Sequence, residues 1–349
     1  MDESAQIAVL PGDGVGHEVI TEAIKILHIV APNFKLIFCD VGSQAYNDTG
    51  TSIPAETMEI CEEADAILLG AIGHSYAPYG IPALVTKFFR QEKEAYANIC
   101  PIKLYPGIYT EDDPRSNQAI DIILIRSNLE GFVLEHDGDL EEEIGRDVRV
   151  ITRSGSKRIV DFAFEYSLKK KRAKITCIDA HNLLYGDKLF RNVFSEVGSK
   201  FPNINTHYLS VNVASMLLNM NPNLFDVILT HDIFGDMMAW QLIGKIGGIG
   251  IASQASIGEN FAVFQPVGGA AWEIAGKGLA NPIGSILSVK MMLEWLDFEH
   301  EAQLIENAVR DIIKEGEYLT PDLGGISKTS EVGKRIKDQV CLYIKNGSE

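Results

Sequence analysis

Two glycine-rich segments carry the clearest chemical signals in this chain. The first, Pro11-Gly12-Asp13-Gly14-Val15-Gly16, stands between the apolar run Ile7 to Leu10 and an amphipathic stretch from His17 to Val30. A glycine loop between a strand and a helix can cradle phosphate, because its backbone N–H groups and the helix dipole both favour an anion. The spacing lacks the third glycine of the usual dinucleotide fingerprint, so a tight turn closing a βα unit is the other reading. The second segment runs Gly268-Gly269-Ala270-Ala271-Trp272-Glu273-Ile274-Ala275-Gly276-Lys277-Gly278. Its small residues allow a ligand close to the backbone. Glu273 can accept hydrogen bonds from ribose hydroxyls and would repel a 2′-phosphate, which favours NAD over NADP; a solvated loop carboxylate is the plainer alternative.

The surrounding pattern supplies the elements that hold such loops. Ile7 to Leu10 predicts a buried strand, His17 to Val30 a helix, and Phe34 to Asp40 a strand by alternation. A helix near Ala55 to Ala64 leads to a strand at Ala66 to Gly70. Asp121 to Ile125 predicts a strand, Glu135 to Glu143 an acidic stretch, and Val148 to Ser154 another strand. Residues 156–171 predict a helix whose basic end, Lys169 to Arg172, suits the negative end of its dipole. Further βα units are predicted at Lys174 to Ile178, His207 to Val211 and Val227 to Thr230, then a long helix at Pro282 to Leu296. This alternation predicts an α/β fold with a largely parallel sheet covered by helices. Only Lys345 to Glu349 reads as disordered.

With 349 residues the chain can build two sizeable cores. There is no internal repeat or low-complexity linker, so two domains would share crossover strands, with the chain leaving the first, building the second and returning. Thirty-one basic against 48 acidic residues give a net charge of -17, which repels nucleic acid and anionic membranes. The same charge repels small carboxylates, so a site for them needs its own arginines. The five cysteines (Cys39, Cys61, Cys100, Cys177 and Cys341) are odd in number and form no CxxC pair. That argues against disulfides or structural zinc and fits a reducing cytoplasm. The N-terminus shows no signal segment, and no apolar run reaches the ~18 residues that span a bilayer.

Taken together, the segments are more specific than either loop. Leu10 to Gly16 is followed by Leu69-Gly70-Ala71-Ile72-Gly73, by Arg90 with Ala97-Asn98-Ile99, and by Ile125-Arg126 with Asn128. Phe225-Asp226-Val227-Ile228, Phe234-Gly235-Asp236 and Ala275-Gly276-Lys277-Gly278-Leu279-Ala280-Asn281-Pro282-Ile283 complete the series. In this order and spacing they resemble the isocitrate/isopropylmalate dehydrogenase family of β-decarboxylating dehydrogenases, from about Ile7 to Leu296. The resemblance implies an interrupted large α/β domain, residues 1–100 and 253–349, and a small α/β domain, residues 101–252, that pairs in a homodimer. It also implies NAD against loops such as 268–281, with substrate in the cleft between domains.

That family oxidises a 2-hydroxy acid by hydride transfer and then loses a carboxyl group. The chemistry calls for a divalent metal on the hydroxyl and carboxylate, an acid–base pair, and arginines on the carboxylates. By the resemblance, Arg90 and Arg126 occupy two of three substrate-arginine positions, and Cys100 occupies the third. A salt bridge is the simpler role for either arginine. The metal-ligand positions fall on Asp236, on Trp240 one helical turn later, and on Asn212, which the partner subunit supplies in the family. One carboxylate, one amide and an indole make a poor donor set for Mg²⁺ or Mn²⁺. The catalytic lysine position is Ala180 and the catalytic tyrosine position Val133. Asn98, Glu273, Ile274 and Asn281 match the NAD-binding pattern, while the adenine-stacking histidine falls on Gly268.

Two functions are therefore expected in competition. One is a non-catalytic family member that binds or regulates, as a homodimer or beside an active paralogue, with a small carboxylate as ligand. The other is an NAD-dependent dehydrogenase of a 2-hydroxy acid with rebuilt chemistry. There His181 would act as base, Trp240 would shape an apolar pocket, and Glu135, His136, Asp137 and Asp139 would supply polar groups. Leu84-Val85-Thr86 matches neither the isocitrate nor the isopropylmalate specificity pattern, so the substrate is not legible.

Overall fold

The computed structural model describes residues 4–73, 81–110, 112–131 and 139–347. The strands are β1 (Gln6–Gly12), β2 (Lys35–Phe38), β3 (Ala66–Ala71), β4 (Ala97–Lys103), β5 (Asp121–Ser127), β6 (Asp139–Leu140), β7 (Gly145–Arg146), β8 (Lys174–Asp179), β9 (Asn205–Ser210), β10 (Val227–Thr230), β11 (Ser253–Ile257) and β12 (Ala262–Pro266). The helices are α1 (Gly16–Val30), α2 (Ser43–Thr49), α3 (Ala55–Glu63), α4 (Ile81–Lys87), α5 (Arg153–Lys169), α6 (Tyr185–Gly198), α7 (Val211–Met220), α8 (Asp232–Lys245), α9 (Ile283–Trp295), α10 (Glu299–Glu315) and α11 (Thr329–Gly347).

Ten strands form one sheet in the order β2-β1-β3-β12-β11-β4-β5-β10-β8-β9, and β6 with β7 makes a separate ribbon. Two parallel blocks, β2-β1-β3-β12 and β5-β10-β8-β9, are joined through antiparallel pairings of β12 with β11, β11 with β4, and β4 with β5. β3 and β10 are buried at every residue, as strands covered by helices on both faces must be. The fold is α/β, as the alternation predicts. No helix among the described residues is long and apolar enough to cross a membrane.

Two local expectations are corrected and a third is extended. Val148 to Ser154 is not a strand: only Val150 bridges, to Gly131, and the chain then turns into α5. Thr152 decides this, because its hydroxyl accepts the Gly155 N–H at 3.0 Å as a helix N-cap. Lys345 to Gly347 is the last turn of α11 rather than disordered chain. The basic cluster at the end of α5 does more than meet a dipole. Lys169 pairs with Asp297 and Lys170 with Glu294, each at 3.0 Å, while Arg172 pairs with Asp121 and Asp226. These contacts tie α5 to the junction of α9 and α10 and to the base of β5.

Candidate functional site

The two glycine segments pack on each other. Val15 N–H donates to Ala270 O at 2.9 Å. Gly14 has φ +51, and a Cβ there would lie 2.0 Å from Ala270 O; one on Gly12, at φ +78, would lie 2.2 Å from Ala71 O. Asp13 is buried, and its carboxylate accepts the N–H groups of Ser43 (2.8 Å) and Gly73 (3.1 Å). The first loop is thus a docking surface for the second. Gly14→Ala is expected to cost about 1–3 kcal/mol through backbone strain and the displaced loop. Thermal unfolding checks this, and an unchanged midpoint would contradict it.

The second loop is pinned from below. The Glu18 carboxylate accepts the N–H groups of Gly276 and, at 2.9 Å, Gly278. Trp272 Nε1 donates to Gly73 O at 3.0 Å. Glu273 is exposed, and Ile274 packs on a small cluster with Val15, Val19, Ala71 and Ala280. Asn281 is occupied inside the protein: its Oδ1 accepts the Ile283 N–H at 3.0 Å and its Nδ2 donates to Asp322 at 3.1 Å.

Across the sheet edge, the arginines come together. Arg126, near the end of β5, is buried, donates from Nε to Asn98 Oδ1 at 3.1 Å, and pairs through Nη1 with Asp236 on α8. Asn98 is itself buried and donates to Gln254 at 3.2 Å, so its amide aims Arg126. A Cβ on Gly235 would lie 2.8 Å from Arg126 Cβ, which is why glycine precedes Asp236. Arg90 sits on a π-helical turn, Phe88–Glu92, and enters a cavity of about 130 Å³ with apolar Leu69, Ile72 and Phe89 and polar Thr86, Ser256 and Gln265. Burial pulls the Arg90 guanidinium down to about 10, the Arg126 charge pulls the same way, and Asp236 opposes both. Cys100 is buried behind this group, its Sγ 3.7 Å from Ser253 O, and burial pushes its thiol up to about 12. It contributes neither charge nor nucleophile.

Ala180 is buried at the end of β8. The next residue, His181, is held by a carboxylate the sequence did not flag. Its Nδ1 lies 3.0 Å from Asp179 Oδ1, and Arg191 bonds both Asp179 oxygens, at 2.7 and 2.9 Å. Arg191 Nη1 also lies 3.3 Å from His181 Nε2. If Nδ1 carries the ring proton toward Asp179, the Nε2 lone pair accepts from Arg191 Nη1, so the ring can take a further proton only where that contact opens. Asp179 and Arg191 are 12 residues apart and meet only because α6 returns over β8. An aspartate at a strand end was the one available signal.

Asn212 lies exposed in the first turn of α7, and Trp240 is 47% exposed one turn along α8 from Asp236. No group of three or more His, Cys, Asp or Glu side chains is placed to share an ion among the described residues. Within one chain, Asp236 is the carboxylate of the expected set, and Arg126 already engages it. One carboxylate, one amide and an indole do not fit a hard cation. Val133, Glu135, His136 and Asp137 lie outside the described residues, and Asp139 starts the small β6 strand.

The pattern described as isocitrate/isopropylmalate dehydrogenase matches residues 6–336. A 3-isopropylmalate dehydrogenase of Archaeoglobus fulgidus is 38% identical over 335 residues, covering 95% of this chain and 98% of that protein. A homoisocitrate dehydrogenase of Methanocaldococcus jannaschii is 38% identical over 350 residues, covering 97% and 98%. Among solved structures, an isocitrate dehydrogenase from Methylococcus capsulatus superposes with a TM-score of 0.88 at 30% identity, covering 96% of this chain and 99% of that one. A β-decarboxylating dehydrogenase from Thermococcus kodakarensis gives 0.85 at 33% identity, covering 98% and 97%.

Proposed function

The chain belongs to the isocitrate/isopropylmalate dehydrogenase family, and from that premise we propose that it is an NAD-dependent oxidoreductase of a small 2-hydroxy acid with altered proton transfer. The observation that carries this reading is a cavity entered by Arg90, whose guanidinium feels the charge of nearby Arg126, beside a glycine loop fixed in place by Glu18 and the Gly12–Gly16 turn. In a protein of net charge -17, two neighbouring guanidinium groups draw in a carboxylate that the surface as a whole repels. Bound NAD would supply the hydride acceptor, with Glu273 facing its ribose and the 268–278 backbone against its phosphates.

The chain's own groups then have separable tasks. Arg90 holds a substrate carboxylate, and the apolar wall of Leu69, Ile72 and Phe89 takes a short aliphatic group and keeps water away. Arg126, aimed by Asn98, bonds a second oxygen and polarises the hydroxyl-bearing carbon. The hydroxyl proton goes to the His181 imidazole, oriented by Asp179, once Arg191 releases its Nε2. β8 lies two strands from β5 in the sheet, roughly 10 Å at the usual strand spacing. Both offer their C-terminal ends, the edge where parallel sheets bind ligands. The exposed apolar side chains Val213, Met216 and Met220 on α7, with Ile233, Met237 and Trp240 on α8, support a homodimer formed over that face. The division into residues 1–100 with 253–349 and 101–252, and a cytoplasmic setting for five free thiols, belong to the same reading.

A non-catalytic, carboxylate-binding role is the second reading, favoured by the closed Arg126–Asp236 pair. One assay separates them: NADH formation from a panel of 2-hydroxy mono-, di- and tricarboxylates, with and without Mg²⁺, beside thermal-shift binding of the same acids. Turnover supports the enzyme; stabilisation by an acid without turnover supports the binder. In either case Arg90→Leu is expected to weaken the productive interaction about 100-fold, read as kcat/KM or as Kd. An unchanged value would remove Arg90 from the site.

A further inference from the structure

We propose that Trp272 is the stacking platform for a planar ring of the dinucleotide; this rests on the reading just given. A tryptophan 41% exposed on a loop of glycine and alanine calls for a reason, because its large apolar faces favour burial. Its indole N–H is already satisfied by Gly73 O at 3.0 Å, which fixes the ring orientation and leaves only π-surface to offer. The loop beneath it is rigid. Ala271, the preceding residue, sits at φ +41, a left-handed conformation that residues other than glycine rarely adopt. That conformation is held by Val15 N–H on Ala270 O (2.9 Å), by Ile274 N–H on Ala271 O (3.0 Å), and by Glu18 on Gly276 and Gly278.

Position adds a second argument. Gly73 follows Ile72, and Ile72 and Gly268 both line the cavity that Arg90 enters. The ring is therefore anchored one residue from the wall of the Arg90 cavity, on the same loop as Gly268, which lines it. From Gly268 to Ala271 that loop carries no side chain larger than a methyl group. A flat heteroaromatic ring can lie on the indole without displacing anything, and a saturated ligand would gain little there.

The test is NADH affinity, followed by cofactor fluorescence, for the full-length protein and for Trp272→Ala, Trp272→Leu and Trp272→Phe. Stacking on an aromatic side chain predicts about tenfold weaker binding for Ala and Leu, and a Phe variant within about threefold of the original. Energy transfer from indole to the reduced nicotinamide should fall in all three variants. Competition by AMP and by nicotinamide mononucleotide shows which ring is held: the one whose affinity drops with Trp272→Leu. Leu keeps apolar bulk on the loop, so it separates stacking from packing if the Ala variant unfolds. Equal NADH affinity of the Leu variant and the original protein would overturn the platform while leaving the dinucleotide site standing. Failure of the original protein to bind any of the three probes would overturn both.

Discussion

Asp187→Ala is expected to lower the unfolding free energy by about 3–5 kcal/mol, the cost of breaking a buried ion pair from one side. Asp187 is fully buried in the first turn of α6, where the helix dipole already favours an anion. Its Oδ1 accepts from Arg149 Nη1 at 2.7 Å and its Oδ2 accepts the Ala180 N–H at 2.6 Å. The Arg149 side chain is only 8% exposed, and a guanidinium does not escape by losing its proton. Removing the carboxylate breaks that ion pair, and the Ala180 N–H loses its acceptor, in a region of low dielectric. Asp187→Asn keeps the shape and one acceptor, so a smaller loss is expected. Since whole domains are stable by only about 5–15 kcal/mol, the alanine variant loses a large share of the total. Urea unfolding of the three proteins measures this. A loss below about 1 kcal/mol for Asp187→Ala would show that water reaches the pair and that it behaves as a surface contact.

That ion pair spans 38 residues, and such pairs were the hardest part to read from the sequence. Asp187 looks like an ordinary acidic residue at a helix start, and Arg149 looks like one face of an alternating strand that the fold does not make. The same holds for the Asp179, His181 and Arg191 group, which forms only when α6 folds back on β8. By contrast β1, α1, β3, β5, β8, β10 and α9 were legible, because apolar periodicity reports burial directly. β4 was not: Pro101 lies inside it, and a proline argues against a central strand. β11, Ser253 to Ile257, is too polar to signal a buried strand. These two strands carry the antiparallel joint between the parallel blocks, so the sheet order was out of reach while its class was not. At the site, Arg90, Arg126 and Asp236 were located by resemblance alone. What resemblance could not supply is that Arg126 spends one arm on Asp236, that Asn98 serves the arginine, or that Asn281 is committed to α9 and Asp322.

His231 should make the protein acid-sensitive, by up to about 5 kcal/mol between neutral pH and pH 3. The ring is 1% exposed between β10 and α8, with its centroid 3.9 Å from that of Phe190, and neither of its nitrogens has a hydrogen-bond partner among the described residues. Burial, aided by the nearby Arg149 charge, lowers its pKa from 6.5 to about 3. Above pH 6.5 the ring is neutral in folded and unfolded chains alike, and it makes no pH-dependent contribution. Below 6.5 the unfolded chain takes up a proton that the folded chain refuses, so stability falls by about 1.4 kcal/mol per pH unit until the folded ring also protonates near pH 3. Carboxylates held below their usual range, such as Glu306 beside Lys290 and Lys103, lose stability in the same direction, so the acid limb of the original protein is a sum. The informative quantity is therefore a difference. His231→Leu removes the titrating ring and two unsatisfied nitrogens from a buried place, so its stability at pH 7.5 should equal or exceed that of the original protein. Its unfolding free energy between pH 6 and 4 should fall less steeply, by close to one proton. Parallel slopes for the two proteins would mean that His231 accepts a proton in the folded state as readily as in the unfolded chain. The ring would then be reached by water or a counter-charge, and the buried Arg149–Asp187–His231 cluster would not be the dry support on which the sheet edge, and the site built there, depends.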